Sequence, residues 1–136
     1  MAVLKVPTAP VVLVAEDDVG VRAAVSDLLG FLGCEVLEAA TGEEAVELAR
    51  VHGDRLAAAL VDVRMPGMGG PTACQHILAG LPDLPLAVTT GYGDFDGAAR
   101  AGAWFALPKP FGLDTLMEVM GRLGVAVSWP AVTAAG

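Results

Sequence analysis

The chain has 136 residues, of which 54% are hydrophobic, and its 8 basic and 16 acidic residues give a formal net charge of −8. This composition excludes a disordered chain and predicts a single domain with a sizeable core. The negative charge repels phosphate backbones, so we expect no direct contact with nucleic acid. Charged residues, Gly and Pro interrupt every apolar run before the roughly 18 residues of a membrane helix, and the N-terminus lacks a signal-peptide pattern. We therefore expect a cytoplasmic protein that does not bind membranes.

Five short apolar runs alternate with segments of helical period along the chain. The first run, Val11–Ala15, is continuously apolar, which is typical of a parallel strand covered on both faces. The other four predicted strands are residues 34–39, 55–61, 86–90 and 104–107. Strands that alternate with helices through short connections predict an α/β fold, with one five-stranded parallel sheet and helices on both faces.

The predicted helices follow these strands. The first carries an apolar stripe of helical spacing, formed by Val21, Val25, Leu28 and Leu32. Gly33 ends this helix, and Thr41 with Glu44 forms a capping box that begins the second. The remaining helices are residues 71–80, a short and weak segment at 94–103, and 113–123. We expect residues 1–10 to be an extension, residues 11–127 the domain, and residues 128–136 a tail.

Polar side chains stand directly after four of the five predicted strands. They are Glu16, Asp17 and Asp18 after the first strand, Asp62 after the third, Thr89 and Thr90 closing the fourth, and Lys109 after the fifth. The carboxyl ends of parallel strands lie at one edge of the sheet, where ligand chemistry is usually found. The second strand contributes no such group, which predicts that it lies at the side of the sheet.

Converging carboxylates repel each other, and a hard divalent cation such as Mg²⁺ removes that cost. The ammonium of Lys109 adds a compact positive charge at the same edge. A hydroxyl, a metal ion and an ammonium around one carboxylate would stabilise a phosphoryl group transferred onto it. The sequence therefore predicts phosphoryl chemistry centred on Asp62.

Four segments in this order resemble the receiver domain of two-component response regulators. They are "VLVAEDD", "LVDVRMPGMGG", "VTTGYGD" and "LPKPF". The resemblance covers residues 11–127 and implies the flavodoxin-like (βα)5 receiver fold and a role in signal transduction. The pattern "TTGYGD…ARAGAWFALPKPF" is most similar to receivers of hybrid sensor histidine kinases.

The resemblance implies a role for each matching residue. Asp62 resembles the phosphoacceptor, which takes a phosphoryl group from the phosphohistidine of a histidine kinase or phosphotransfer protein. Lys109 matches the lysine that contacts the phosphoryl oxygens, with a cis peptide bond to Pro110. Thr90 matches the switch hydroxyl, which leaves Thr89 a structural role, with its side chain pointing elsewhere.

The resemblance also implies a set of Mg²⁺ ligands. Asp17 and Asp62 match the carboxylates that bind the ion directly, and Glu16 matches a neighbour that acts through water. The backbone carbonyl of Arg64 matches the main-chain ligand, whereas Asp18 is expected to be peripheral. Such a domain catalyses only its own phosphorylation and dephosphorylation, so we do not expect an enzyme, and the downstream partner stays unknown.

Two features depart from the family pattern. Ala106 stands three residues before the lysine, where the family usually carries Tyr or Phe, and only 19 positions separate Thr90 from Lys109. Because Ala106 has no ring to move, we expect the signal to leave through the glycine-containing loop at residues 91–97. In the alternative, Phe105 replaces the missing ring if the strand register shifts by one residue.

Two other functions on a similar sheet would need different residues. A phosphohydrolase that forms an aspartyl phosphate needs an acid two residues after the nucleophile, and that position holds Arg64. A flavodoxin-like cofactor binder needs a phosphate-binding loop after the first strand, where the acidic Glu16, Asp17 and Asp18 would repel a phosphate. Cys34 and Cys74 have no metal-ligand spacing and are expected to be core thiols.

Overall fold

Five parallel strands form one sheet in the order β2-β1-β3-β4-β5 in the computed structural model, which describes residues 9–91 and 95–128. The strands are β1 (Val11–Ala15), β2 (Glu35–Ala39), β3 (Leu56–Asp62), β4 (Leu86–Thr90) and β5 (Phe105–Pro108). The predicted α/β sheet is confirmed, and β2 lies at its side as expected. Most of the predicted tail and most of the predicted N-terminal extension lie outside the described residues.

The strand boundaries differ from the prediction by one residue at three strands. Cys34 precedes β2, because its N–H donates to the carbonyl of Leu29 at the end of the preceding helix. Arg55 belongs to a turn of 3-10 helix, Gly53–Arg55, so β3 runs one residue further and ends on Asp62. β5 omits Trp104 and includes Pro108. The shift in β3 makes Asp62 part of the sheet.

Five helices connect the strands. They are α1 (Val19–Phe31), α2 (Gly42–His52), α3 (Gly69–Gly80), α4 (Phe95–Arg100) and α5 (Leu113–Arg122). Thr41 caps α2 as predicted, because its hydroxyl accepts the N–H of Glu44 at 3.1 Å. Gly33 follows α1 with a φ of +89°, a left-handed conformation that glycine adopts easily and that ends the helix.

The buried stripe of α1 differs from the prediction. The structure buries Val25, Leu29 and Leu32, while Val21 and Leu28 are half-buried. Residues 25, 29 and 32 follow the i, i+4, i+7 spacing, so the core-facing direction passes through Leu29 rather than Leu28. Val21 and Leu28 still pack against the core, so the predicted stripe faces the sheet, and what the prediction lacked is Leu29 at its centre.

The core lies on both faces of the sheet, as a parallel sheet requires. On one face, Leu13 and Val61 pack with side chains of α2 and α3, including Ala49 and Ile77. On the other, buried residues of the sheet pack with α1 and α5; the cluster includes Val12, Leu60, Leu29, Leu116 and Met120. None of the described helices is long and apolar enough to cross a membrane.

Candidate functional site

Asp62 is held at the carboxyl edge of the sheet by the loop that follows β3. Its side chain is 4% exposed. Gly70, the second residue of α3, lies so close that a Cβ there would overlap the carbonyl oxygen of Asp62 and would stand 2.7 Å from the Cα of Val63. The N–H of Gly70 donates to the carbonyl of Val63 at 3.1 Å. The glycine-rich segment therefore lets the start of α3 close against the end of β3.

Two further glycines shape the same loop. Gly67 has a φ of +80° and Gly69 a φ of +78°, both in the left-handed region that side chains rarely adopt. These conformations reverse the chain between β3 and α3 within a few residues. The glycines of this loop thus allow backbone to lie close to Asp62 at the end of a buried strand.

Three carboxylates meet at this edge, as the sequence predicted. Oxygen atoms of Glu16, Asp17 and Asp62 lie within 4.8 Å of one another. Glu16 and Asp62 are buried, and Asp17 is exposed. Asp18 lies apart from this cluster as expected, because its carboxylate accepts the N–H of Val21 at 2.9 Å and caps α1. Hard carboxylate oxygens at this spacing fit Mg²⁺, which prefers oxygen ligands.

Arg64 is exposed and lies in the loop two residues beyond Asp62. Its N–H donates to Oδ1 of Asp62 at 3.4 Å, a long hydrogen bond. This contact keeps the backbone of Arg64 close to the Asp62 carboxylate. The contact is made by the N–H of Arg64, and the carbonyl of Arg64 as a metal ligand stays a prediction.

Lys109 joins the two buried carboxylates. Its Nζ lies 2.8 Å from Oε1 of Glu16 and 3.2 Å from Oδ2 of Asp62. The backbone N–H of Lys109 donates to the carbonyl of Thr90 at 2.7 Å, which anchors the lysine to the end of β4. The peptide bond between Lys109 and Pro110 is cis, as the resemblance implied.

The surroundings of Lys109 favour its charged form. Burial lowers the pKa of the Lys109 ammonium, but the hydrogen bond to Glu16 and the negative charges of Asp62 and Glu16 outweigh burial and raise the pKa above 10.5. The ammonium is therefore charged at neutral pH. It balances part of the negative charge of the cluster.

Replacing Lys109 by Met should destabilise the metal-free protein by roughly 2–3 kcal/mol, because two buried carboxylates lose their cation. The figure is below that for a fully buried pair because the Lys109 side chain is 25% exposed. The raised folded-state pKa means that the wild-type stabilisation is complete below pH 10.5 and is lost as the pH rises through the folded value. Urea denaturation from pH 7 to 11 measures both effects.

The matched control for Lys109→Met is Arg122→Met. Arg122 pairs with Glu118 at 3.0 Å, but both side chains are about 60% exposed. An exposed pair contributes little, so this variant should unfold at nearly the wild-type urea concentration. Equal losses of stability in the two variants would contradict a special role for Lys109.

The two threonines at the end of β4 differ from the prediction. Thr89 pairs in register with Asp62 and lines a small cavity together with Glu16 and Lys109. The expectation that Thr89 points elsewhere is therefore wrong, because residues paired across parallel strands present their side chains to the same face. Thr90 is buried, and the hydrogen bond that the described residues show between it and Lys109 uses its backbone carbonyl.

The register of β5 tests one of the two predicted output routes, in which Phe105 replaces the missing ring. Ala106 pairs with Val88 and is exposed. Phe105 is half-buried on the face of α1 and α5, where the guanidinium carbon of Arg122 lies 5.9 Å from its ring centroid. Phe105 therefore does not replace the ring on the face of Ala106. The predicted output loop at residues 91–97 includes residues 92–94, which lie outside the described residues, so that route stays a prediction.

The sequence analysis did not predict one contact to the acidic loop, which is made by Arg22. The guanidinium of Arg22, in the first turn of α1, donates to the backbone carbonyl of Glu16 at 2.8 Å. Side chains of a helix point toward its N-terminus, so an arginine one turn after an acidic loop can reach back to that loop. This position is the sequence feature that could have predicted the contact.

A family model described as the response regulator receiver domain matches residues 12–120, most of the chain. The chain belongs to this family. Receiver domains of response regulators act in two-component signal transduction, and membership of this family is consistent with a phosphorylation-controlled signalling switch. The fold, the order of the polar residues and the family model agree.

Individual relatives of this receiver domain support the same conclusion. The C4-dicarboxylate transport transcriptional regulatory protein DctD of Rhizobium meliloti is 38% identical over 117 residues, which are 84% of this chain and 25% of that protein. The response regulator MprA of Mycolicibacterium vanbaalenii is 36% identical over 115 residues, 82% of this chain and 49% of that protein. The chain thus spans half or less of the length of these two relatives.

A solved structure shows the same architecture. The crystal structure of a response regulator receiver domain protein from Clostridium thermocellum superposes with a TM-score of 0.79 and 25% sequence identity, covering 84% of this chain and 93% of that chain. The five-stranded parallel sheet with helices on both faces is therefore the receiver fold, as predicted.

Proposed function

We propose that Asp62 is the phosphoacceptor of this receiver domain. The observation that supports the proposal is the arrangement of charge around it: Lys109 contacts both Glu16 and Asp62, while the exposed Asp17 lies within 4.8 Å of both carboxylates. One carboxylate is thus fixed beside a cation at a solvent-accessible edge. Residues 11–127 are proposed as the domain that carries this chemistry.

In the proposed step, a carboxylate oxygen of Asp62 forms a bond to the phosphorus of a phosphohistidine. The phosphorus–nitrogen bond breaks, and its electron pair moves to the imidazole of the donor, which is a histidine kinase or phosphotransfer protein. The ammonium of Lys109 is placed to contact the phosphoryl oxygens, since it already lies 3.2 Å from Oδ2 of Asp62. Charge developing on those oxygens is stabilised by a fixed positive neighbour.

Mg²⁺ is the metal ion that this donor set fits. Asp17, Asp62 and the backbone carbonyl of Arg64 are proposed as its ligands, with Glu16 acting through water. When bound, the ion supplies positive charge that balances the carboxylates and the phosphoryl oxygens. Of the three carboxylates, that of Asp17 is the most accessible to an ion from solvent, because its side chain is exposed.

Thr90 is proposed to supply the switch hydroxyl, which moves toward the phosphoryl group, because Thr90 occupies that position in the family motif. Thr89 is a second candidate, since it lines the cavity beside Glu16 and Lys109. Both are buried at the end of β4. The alternative of a phosphohydrolase has no support, because Arg64 offers no acid two residues after Asp62.

We place the protein in the cytoplasm, where Cys34 and Cys74 would stay reduced; both are buried free thiols. Burial raises the pKa of the Cys74 thiol to about 12, which makes it unreactive. The downstream target is a protein of unknown identity. With a net charge of −8, contact of this chain itself with nucleic acid or an anionic membrane is not part of the proposal.

Mg²⁺ should raise the melting temperature of the unphosphorylated protein, because an ion that binds only the folded state stabilises it by about 2.7 kcal/mol at 100 times its Kd. Asp17→Asn should lose most of this response. Asp18→Asn is the matched control, since asparagine also caps helices and Asp18 lies outside the cluster. A wild-type melting temperature that is indifferent to Mg²⁺, together with a higher one in Asp17→Asn, would indicate a receiver that works without the ion.

A further inference from the structure

We infer that Arg22 is a positioning residue that orients the metal-binding carboxylate of Asp17 through the backbone of Glu16. The inference rests on the proposed Mg²⁺ site and extends it to a residue that contacts none of the proposed ligand atoms. Arg22 lies in the first turn of α1, and its side chain is 18% exposed. It reaches back over the acidic loop between β1 and α1.

The guanidinium of Arg22 makes two contacts that lie on different elements. Its Nη1 donates to the carbonyl oxygen of Glu16 at 2.8 Å, and its Nε lies 3.3 Å from Oε1 of Glu38 on β2. A planar guanidinium with donors in a fixed fork can hold two acceptors in one geometry. The side chain thus ties the acidic loop to the neighbouring strand.

Glu16 is held at each of its polar groups. Its N–H donates to the carbonyl of Ala39 at 3.0 Å, its carbonyl accepts from Arg22, and its carboxylate contacts Lys109 at 2.8 Å. The carbonyl of Glu16 and the N–H of Asp17 belong to one planar peptide unit. A fixed direction of the Glu16 carbonyl therefore fixes the direction of the N–Cα bond of Asp17.

Asp17 depends on this backbone for its orientation. Among the described residues, no hydrogen bond or ion pair holds its carboxylate, which is exposed. The peptide that Arg22 holds is consequently the restraint that fixes the backbone position from which the Asp17 carboxylate is presented. Partners that hydrogen-bond directly to a metal ligand change metal affinity by about 10- to 100-fold when they are removed, and an indirect support such as Arg22 is expected at the lower end of that range.

Electrostatics alone predicts the opposite sign. Arg22 is a cation close to a cluster of carboxylates, so removing its charge should strengthen the binding of Mg²⁺ if charge were its only contribution. A positioning role predicts weaker binding. The direction of the change in Kd therefore separates the two explanations.

The experiment measures the Kd for Mg²⁺ by isothermal titration calorimetry on the full chain and on its variants. Arg22→Met should raise the Kd about tenfold. Arg22→Lys keeps the charge but loses the fork, so it should also bind more weakly than wild type. Arg55→Met is the matched control: Arg55 pairs with Glu35 at the other end of β2, at 2.6 Å, and its loss should leave the Kd unchanged. An unchanged or lowered Kd in Arg22→Met overturns the inference.

A second readout does not depend on the metal. In the metal-free protein, the backbone amide of Glu16, which donates to the carbonyl of Ala39 at 3.0 Å, should exchange with deuterium faster in Arg22→Met than in wild type or Arg55→Met. If the wild type fails to bind Mg²⁺, the metal part of the proposed function fails, and this measurement decides the inference alone. Faster exchange confined to Arg22→Met then supports a role for Arg22 in holding the loop, and unchanged exchange overturns it.

Discussion

Asp62→Asn is expected to abolish phosphorylation, lowering the initial rate of phosphoryl uptake by at least about 100-fold, because an amide is too weak a nucleophile to form an acyl phosphate. The measurement is the intact mass of the protein after incubation with acetyl phosphate and Mg²⁺. The wild type should gain one phosphoryl group. In the structure, Asp62 is the carboxylate that ends a central strand and contacts Lys109 at 3.2 Å.

Two variants separate the acceptor from its neighbours. Asp17→Asn should slow the uptake by weakening Mg²⁺ binding, but the product should still be phosphorylated on Asp62. Asp83→Asn changes an exposed aspartate in the turn before β4, so its rate should equal that of the wild type. Phosphorylation of Asp62→Asn at the wild-type rate would mean that another residue is the acceptor.

Gly70→Ala is expected to lower the free energy of unfolding by about 3 kcal/mol or more, or to prevent folding, because the new methyl group would overlap backbone rather than a flexible side chain. A Cβ at Gly70 would collide with the carbonyl oxygen of Asp62 and stand 2.8 Å from that of Val63. Relief requires α3 to move away from β3. The same movement would displace Asp62, so phosphoryl uptake should fall together with stability.

Gly80→Ala is the matched control in the same helix. Nothing lies within 4 Å of a Cβ placed on Gly80, and its φ is not in the left-handed region. Alanine there should stabilise the protein by about 0.5–1 kcal/mol, through its better helix propensity. Urea denaturation measures both variants, and a Gly70→Ala protein as stable as wild type would show that α3 does not press on the end of β3.

Much of the fold and of the site could be predicted from the residues alone, because the signals are local. Continuous apolar runs such as Val11–Ala15 indicate strands covered on both faces, and these runs were found within one residue of their predicted bounds. Once the strands are parallel, the residues after them must meet at one edge. This rule placed Glu16, Asp17, Asp62 and Lys109 together without knowledge of any distance.

Only the tertiary structure decided which face each side chain occupies and which partner it finds. Side chains alternate along a strand, so an error of one position exchanges the faces of Thr89 and Thr90, or of Phe105 and Ala106. The contact between Lys109 and Glu16 joins residues 93 positions apart, and Arg22 reaches both Glu16 and β2. The face of each side chain and these long-range contacts depend together on the packing of α1, the register of β4 and the spacing of three strands. No local stretch of sequence contains that geometry.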